Sequence, residues 1–137
     1  MRQSLNLAVL GIDHGHIFDM LDEMIKEGCN CNHFWTKGSP LTLKEFNQKY
    51  PNIKRVENKS EILENDKIDM ILISSIPKDR ANLSIEALKS GKDVMVDKPG
   101  CTSLDQLDNL KQAVKETGKI WSVNFSERFH VAAVAKA

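Results

Sequence analysis

At 137 residues the chain has the length of one domain, enough to bury about two-thirds of its unfolded surface in a single core. Nineteen basic and nineteen acidic residues cancel, which removes the electrostatic case for nucleic acid or an anionic membrane as partner. The longest apolar runs, such as "MILISSI", fall far short of the roughly twenty residues a spanning helix needs, and the N-terminal stretch lacks the length and cleavage pattern of a signal peptide. A cytoplasmic protein that recognises a small ligand is expected.

In chain order, "LNLAVL" reads as a short strand and "HIFDMLDEMIKEG" as a helix, with Ile17, Met20, Leu21, Met24 and Ile25 at helical spacing and a stop at Gly28. "NHFWT" is the second strand, and Pro40 or Thr42 can open a helix that ends before Pro51. "IKRV" is a weak third strand, and "KSEILEND" a short helix with Ser60 as its cap. "IDMILISS" is almost continuously apolar, which suits a central strand buried on both faces. "DRANLSIEALKSG" repeats the helical pattern through Leu83, Ala87 and Leu88, and "DVMV" returns to strand. Ser103 and Gln106 make a capping box for "LDQLDNLKQAVKETG", and "KIWSVNF" is a sixth strand. Cys29 and Cys31 would share one face of a strand, but two thiolates with no second pair make a poor metal site, so reduced thiols are expected. Cys101 stands alone.

Strand and helix alternating through six strands argues for parallel βαβ units with helices on both faces, a three-layer doubly wound α/β sheet in the order 3-2-1-4-5-6. Ligands of such sheets bind at the carboxyl ends of the strands, where strand order reverses. The loops that matter are then residues 11–16, 36–39, 74–80 and 97–102.

The first of these loops, "GIDHGH", sits where a dinucleotide-binding turn would be, with Gly11, Ile12, Asp13, His14, Gly15 and His16 as candidate pyrophosphate contacts. Such a turn uses three glycines: for the tight bend, for close approach of the pyrophosphate, and for helix–strand packing. Gly11 fills the first place, but Asp13 and His16 take the second and third. A carboxylate about 4 Å from a phosphate charge would cost on the order of 4 kcal/mol at an effective dielectric near 20.

Three arrangements compete. Asp13 turns away while the His14, Gly15 and His16 amides receive phosphate; or Asp13 caps the helix and blunts nucleotide binding; or Asp13, His14 and His16 hold a metal. The third carries least weight, because residues crowded into one turn rarely converge and no distant ligand is evident apart from His33 or His130. No metal is therefore expected. At the end of the second strand, "FWTKGS" has no acidic residue to accept a ribose 2′-hydroxyl. Thr36 and Lys37 suit a 2′-phosphate instead, which favours NADP over NAD, unless Lys37 is an ordinary solvated charge. Phe34 and Trp35 read as strand residues packed on a helix rather than as a platform for adenine.

Taken together, the "AVLG" turn, "HFWTKG", "MILISSIP", "ALKSGKDVMVDKPGCTSLDQL" and "VNFSERF" resemble the nucleotide-binding half of the glucose-fructose oxidoreductase, inositol dehydrogenase and MocA family, over almost the whole chain. The most specific piece is "GKDVMVDKP", similar to the family's Gly-Lys-x-Val-x-x-Glu-Lys-Pro with Asp97 in place of Glu. The resemblance implies that Lys98 lies at the nicotinamide end of the cofactor, where it would orient and polarise the substrate oxygen, and that the bond before Pro99 is cis. From the residues alone, an Asp97–Lys98 ion pair at a strand end is the plainer account.

The resemblance also places Ser74, Ser75 and Ile76 against ribose or nicotinamide, although they could equally cap the helix that begins near Pro77. Arg80 stands where the family often has a histidine, as a phosphate or carboxylate contact, and Asn124 and Arg128 match the segment leading out of the domain. It implies an NAD(P)-dependent oxidoreductase acting on a sugar, polyol or related hydroxy compound. Residues 1–125 are then the nucleotide-binding domain, and residues 126–137 the start of a connection to a C-terminal substrate domain that this chain lacks. That missing domain would supply most of the substrate pocket and the usual homo-oligomer interface, so full catalysis by this chain alone is not expected. The competing class is a non-catalytic binding or regulatory domain that kept the fold and lost tight nucleotide binding through Asp13.

Overall fold

A strand apolar on both faces must lie inside a sheet, and the two most apolar runs occupy its centre. The computed structural model describes residues 4–125. Its strands are β1 (Asn6–Leu10), β2 (Asn30–Trp35), β3 (Lys54–Arg55), β4 (Met70–Ile73), β5 (Asp93–Asp97) and β6 (Trp121–Asn124); its helices are α1 (His16–Lys26), α2 (Leu43–Lys49), α3 (Ser60–Leu63), α4 (Pro77–Lys89) and α5 (Leu104–Thr117). The six strands form one parallel sheet in the order β3-β2-β1-β4-β5-β6, as expected. β1 and β4 pair at the centre from Leu7 with Met70 to Leu10 with Ile73.

Alternation along the strands divides the core in two. Leu7, Val9 and Leu72 point to one face with Phe34, where α1 and α2 cover them through Ile17, Met20, Leu21, Phe46 and Tyr50. Ala8, Leu10, Ile71, Ile73, Val94 and Val96 point to the other, under Ile62 of α3, Leu83, Ala87 and Leu88 of α4, and Ala113 of α5. Phe46 anchors the first layer, with ring centroids 4.6 Å from Phe34 and 5.0 Å from Tyr50. A fully buried phenylalanine of this kind contributes roughly 1.5–3 kcal/mol through the area it removes from water.

Local signals set most helix ends. Ser103 Oγ accepts the Gln106 N–H at 3.1 Å, and Gln106 Oε1 returns the bond to the Thr102 N–H at 2.7 Å, one residue earlier than the reciprocal partner of a standard capping box. Gly118 closes α5 in the left-handed region at φ 69°. Two expectations need correction. Ser60 does not cap α3 but is its first helical residue, after an N-cap at Lys59. Ile25 is exposed rather than part of the buried stripe of α1, because that stripe is filled by Ile17, Met20 and Leu21. Among the described residues no helix is long and apolar enough to cross a membrane. Arg128, His130 and the segment 126–137 lie outside the described residues.

Candidate nucleotide-binding crevice

The turn after β1 is fastened from three sides. Gly11 takes φ 88°, its N–H donates to the Trp35 carbonyl at 2.7 Å, and its own carbonyl accepts the Ser74 N–H at 3.1 Å. A Cβ on Gly11 would stand 2.5 Å from Ser75 Cβ and 2.9 Å from Ser75 Cα, so the position requires glycine for both conformation and space. Thr36 is buried, with its hydroxyl accepting the Ile12 N–H at 3.3 Å, and Thr42 Oγ1 donates to the Ile12 carbonyl. Ile12 is buried as well. Ile12 and Thr36 therefore brace the turn, and Lys37 is the member of the Thr36–Lys37 pair that lines the neighbouring cavity.

Asp13 turns away from α1. That helix has Gly15 as its N-cap and no side-chain capping bond, while the Asp13 backbone amide and that of Ile76 at the start of α4 favour the charged form of the Asp13 carboxylate. Burial is the main cause that raises its pKa and Asp79 adds to it; the two amides and the Arg80 charge oppose it. The amides that would otherwise face a phosphate are largely engaged. His14 N–H donates to the Ser74 carbonyl at 3.0 Å and His16 N–H to His14 Nδ1 at 3.1 Å, whereas Gly15 N–H has no partner among the described residues. Of the three arrangements open to the turn, capping of α1 by Asp13 is not the one found. Nor do Asp13, His14 and His16 gather, since the two histidines meet Asp97 instead.

Asp97, at the end of β5, is fully buried. Its Oδ1 lies 3.0 Å from His16 Nδ1, and its Oδ2 accepts Ser74 Oγ at 3.1 Å and lies 3.5 Å from both Arg80 Nη2 and His14 Nδ1. Its partners thus do not include Lys98. Arg80, expected as a phosphate contact, is instead an internal brace with only 1% of its surface exposed. Its Nε donates to the Ser75 carbonyl at 2.8 Å, and Nη1 donates to the Lys98, Pro99 and Asp97 carbonyls at 2.7, 3.2 and 3.3 Å. Burial lowers its pKa, while Asp97 and Asp13 pull it back up. The sequence held a signal for this: Arg80 lies on the same stripe of α4 as Leu83, Ser84, Ala87 and Leu88, all buried.

Lys98 and Pro99 follow as exposed residues, joined by a cis peptide bond. Asn124 is level with Asp97 in the β5–β6 register. Ser75 Oγ donates to the Ile76 carbonyl at 3.1 Å, and α4 begins without a side-chain cap, so neither serine takes the capping role.

A cavity of about 390 Å³ opens beside the turn, running from Gly11 and Asp13 past Trp35, Lys37, Ser75 and Ile76 to Lys59 and α4. Lys59 Nζ stands 5.7 Å over the Trp35 ring and 2.8 Å from Glu86 Oε2. Trp35 packs on the core as expected, but it also walls this cavity. Lys59, Asn82 and Glu86 were not anticipated, because only the packing of α3 and α4 over the sheet brings them to β2. The cavity has room and polar groups for part of a nucleotide, with Lys37 as its cation at the end of β2. The pyrophosphate seat fits less well, since the His14 and His16 amides there are already engaged.

Comparison with known proteins agrees with this geometry. The model for "Oxidoreductase family, NAD-binding Rossmann fold" (GFO_IDH_MocA) matches residues 12–125. The scyllo-inositol 2-dehydrogenase (NAD(+)) of Bacillus subtilis (strain 168) is 36% identical over 76 residues, which is 56% of this chain and 22% of that enzyme. A crystal structure of a protein assigned to the oxidoreductases from Erwinia carotovora atroseptica SCRI1043 superposes with TM-score 0.90 at 32% identity, over 97% of this chain and 40% of that one. One assigned as an NADPH-dependent oxidoreductase from Desulfitobacterium hafniense DCB-2 has TM-score 0.83 at 23% identity, over 98% of this chain and 38% of that one, and shows the shared fold. The chain thus spans about two-fifths of the length of these solved relatives. With the sheet order, the glycine turn and the family match in agreement, the chain belongs to the Gfo/Idh/MocA oxidoreductases and carries their NAD-binding Rossmann domain.

Proposed function

We propose that this chain supplies the cofactor-binding half of an NAD(P)-dependent oxidoreductase that moves hydride to or from a sugar, polyol or related hydroxy compound. The observation that carries the proposal is the cavity between the Gly11 turn, the end of β2 and the start of α4, the crevice where sheets of this order take their ligands. Similarity to an inositol dehydrogenase supports the substrate class. The bound nicotinamide supplies the hydride chemistry. The chain's own residues position it: Gly11 and Gly15 at the turn, Lys37 towards the adenosine end, Ser75 and Ile76 along the cavity, and Lys98 beside Asn124 at the nicotinamide end. Lys98 is the candidate catalytic group, and substrate residues would come from a C-terminal domain entered through residues 126–137. Homo-oligomerisation and a cytoplasmic location accompany this proposal.

Lys37 in the cavity, with no acidic residue in the segment 36–39 that follows β2, favours NADP; the inositol dehydrogenase it resembles is named for NAD. A second reading, a regulatory domain with weak nucleotide affinity, is favoured by one observation, the engagement of the His14 and His16 amides within the protein. Titration of the folded chain with NADH and with NADPH separates them, with Trp35 fluorescence as the signal because that ring walls the cavity. Saturation at micromolar concentration, tighter for NADPH, is the expected result. No saturation into the millimolar range with either cofactor overturns the oxidoreductase proposal.

A further inference from the structure

A three-donor cluster stands beside the nucleotide cavity rather than in it. His14 and His16 flank the start of α1, and the sheet brings Asp97 to them from 81 positions along the chain. This is the distant ligand that the turn by itself lacks. His16 Nδ1 lies 3.0 Å from Asp97 Oδ1 and His14 Nδ1 3.5 Å from Asp97 Oδ2, and donor atoms of all three residues fall within 4.8 Å of one another. Donors about 2.0–2.1 Å from a tetrahedral zinc stand about 3.3 Å apart, and these two separations bracket that value.

A cation at this cluster would replace two hydrogen bonds. His14 Nδ1 accepts the His16 backbone N–H at 3.1 Å, a bond that a metal on that nitrogen would displace. The proton between His16 Nδ1 and Asp97 Oδ1 is the one a metal would displace. Ser74 Oγ and Arg80 Nη2 also lie on Oδ2, so the carboxylate presents Oδ1 to His16 and shares Oδ2 between His14 and these two groups. Asp97 is fully buried and therefore fixed, while the side chains of His14 and His16 retain 52% and 35% of their exposure; the cluster is closed behind and open towards the crevice.

We propose that His14, His16 and Asp97 form a binding site for one divalent transition-metal ion of the zinc class. Two imidazoles and a carboxylate are a donor set such ions favour, and three protein ligands leave a coordination position open for an oxygen ligand from the crevice. The site does not depend on the proposed cofactor and is tested without it.

The whole chain, stripped with a chelator and shown folded by circular dichroism, is titrated with Co²⁺ while the visible absorption is followed, and then with Zn²⁺ in competition. One equivalent of Co²⁺ is expected to bind at micromolar concentration with d–d bands of low coordination number, and Zn²⁺ to displace it. His14→Gln and His16→Gln, at exposed and half-exposed positions, are each expected to weaken binding about tenfold or more, while His33→Gln leaves it unchanged. Asp97→Asn is also expected to abolish binding, but its burial against Arg80 makes the two histidine variants the deciding ones. Absence of saturable binding up to about 1 mM metal, or binding that survives both His14→Gln and His16→Gln, overturns the proposal.

Discussion

Asp13 concentrates the tension in this molecule, since one carboxylate lines the cavity and lies under the influence of the Ile76 amide at the start of α4. Burial raises its pKa, so the native chain holds a proton at pH values where the unfolded chain has released it. Stability therefore falls as pH rises from the ordinary carboxylate range through the raised value, and stays reduced above it. Asp13→Asn keeps an acceptor for the Ile76 amide but cannot ionise. It is expected to be more stable than the parent at pH 7 and to lose that advantage at about pH 4 and below, as read from urea unfolding at the two pH values. Asp13→Gly, which restores the second glycine of the fingerprint, is expected to tighten NAD(P)H binding at least tenfold, given the roughly 4 kcal/mol a nearby carboxylate costs; an unchanged Kd by fluorescence titration would remove this account of the turn. Gly11→Ala meets Ser75 at 2.5 Å in a left-handed conformation and is expected to cost roughly 3 kcal/mol or more in thermal unfolding.

Between elements, Arg80 performs the joining. Its guanidinium ties α4 to the loop after β4 and to the end of β5 through four backbone carbonyls and the Asp97 carboxylate. Arg80→Met fills the space but leaves Asp97 buried without that charge, and is expected to destabilise by about 3–5 kcal/mol in denaturant unfolding. Ser103→Ala, by contrast, removes one capping bond at an exposed helix start, and about 1 kcal/mol is expected from the same measurement. The two residues also mark how differently sequence speaks at this scale. The spacing of Ser103 and Gln106 names its own partner, because the bond closes within one helical turn. A charged residue in the loop and early helix "SSIPKDR" reads as a ligand contact until α4 is turned against the sheet and the buried stripe of Leu83, Ala87 and Leu88 takes Arg80 with it.

For the whole molecule, a ligand that binds only the folded state raises its stability by mass action. Cofactor at a hundred times its Kd is expected to add about 2.7 kcal/mol and to raise Tm by on the order of 10 °C, checked by calorimetry with NADH and NADPH in turn. The same scale separates what was legible from what was not. Six strands, their order and the crevice at their carboxyl ends followed from alternating apolar runs, helix stops and right-handed crossovers, since each of these acts within a short stretch or follows from handedness. The Gly11 turn and the cis bond before Pro99 were also readable, the first from its place after β1 and the second from resemblance. The grouping of side chains was not. Asp13 with Ile76, His16 with Asp97, and Trp35 with Lys59 each join segments distant along the chain. Which charge finds which partner depends on helix rotation and on strand register across the sheet. Periodicity determines that a helix covers a face, but only packing decides which of its residues reach the crevice and which of those are already held.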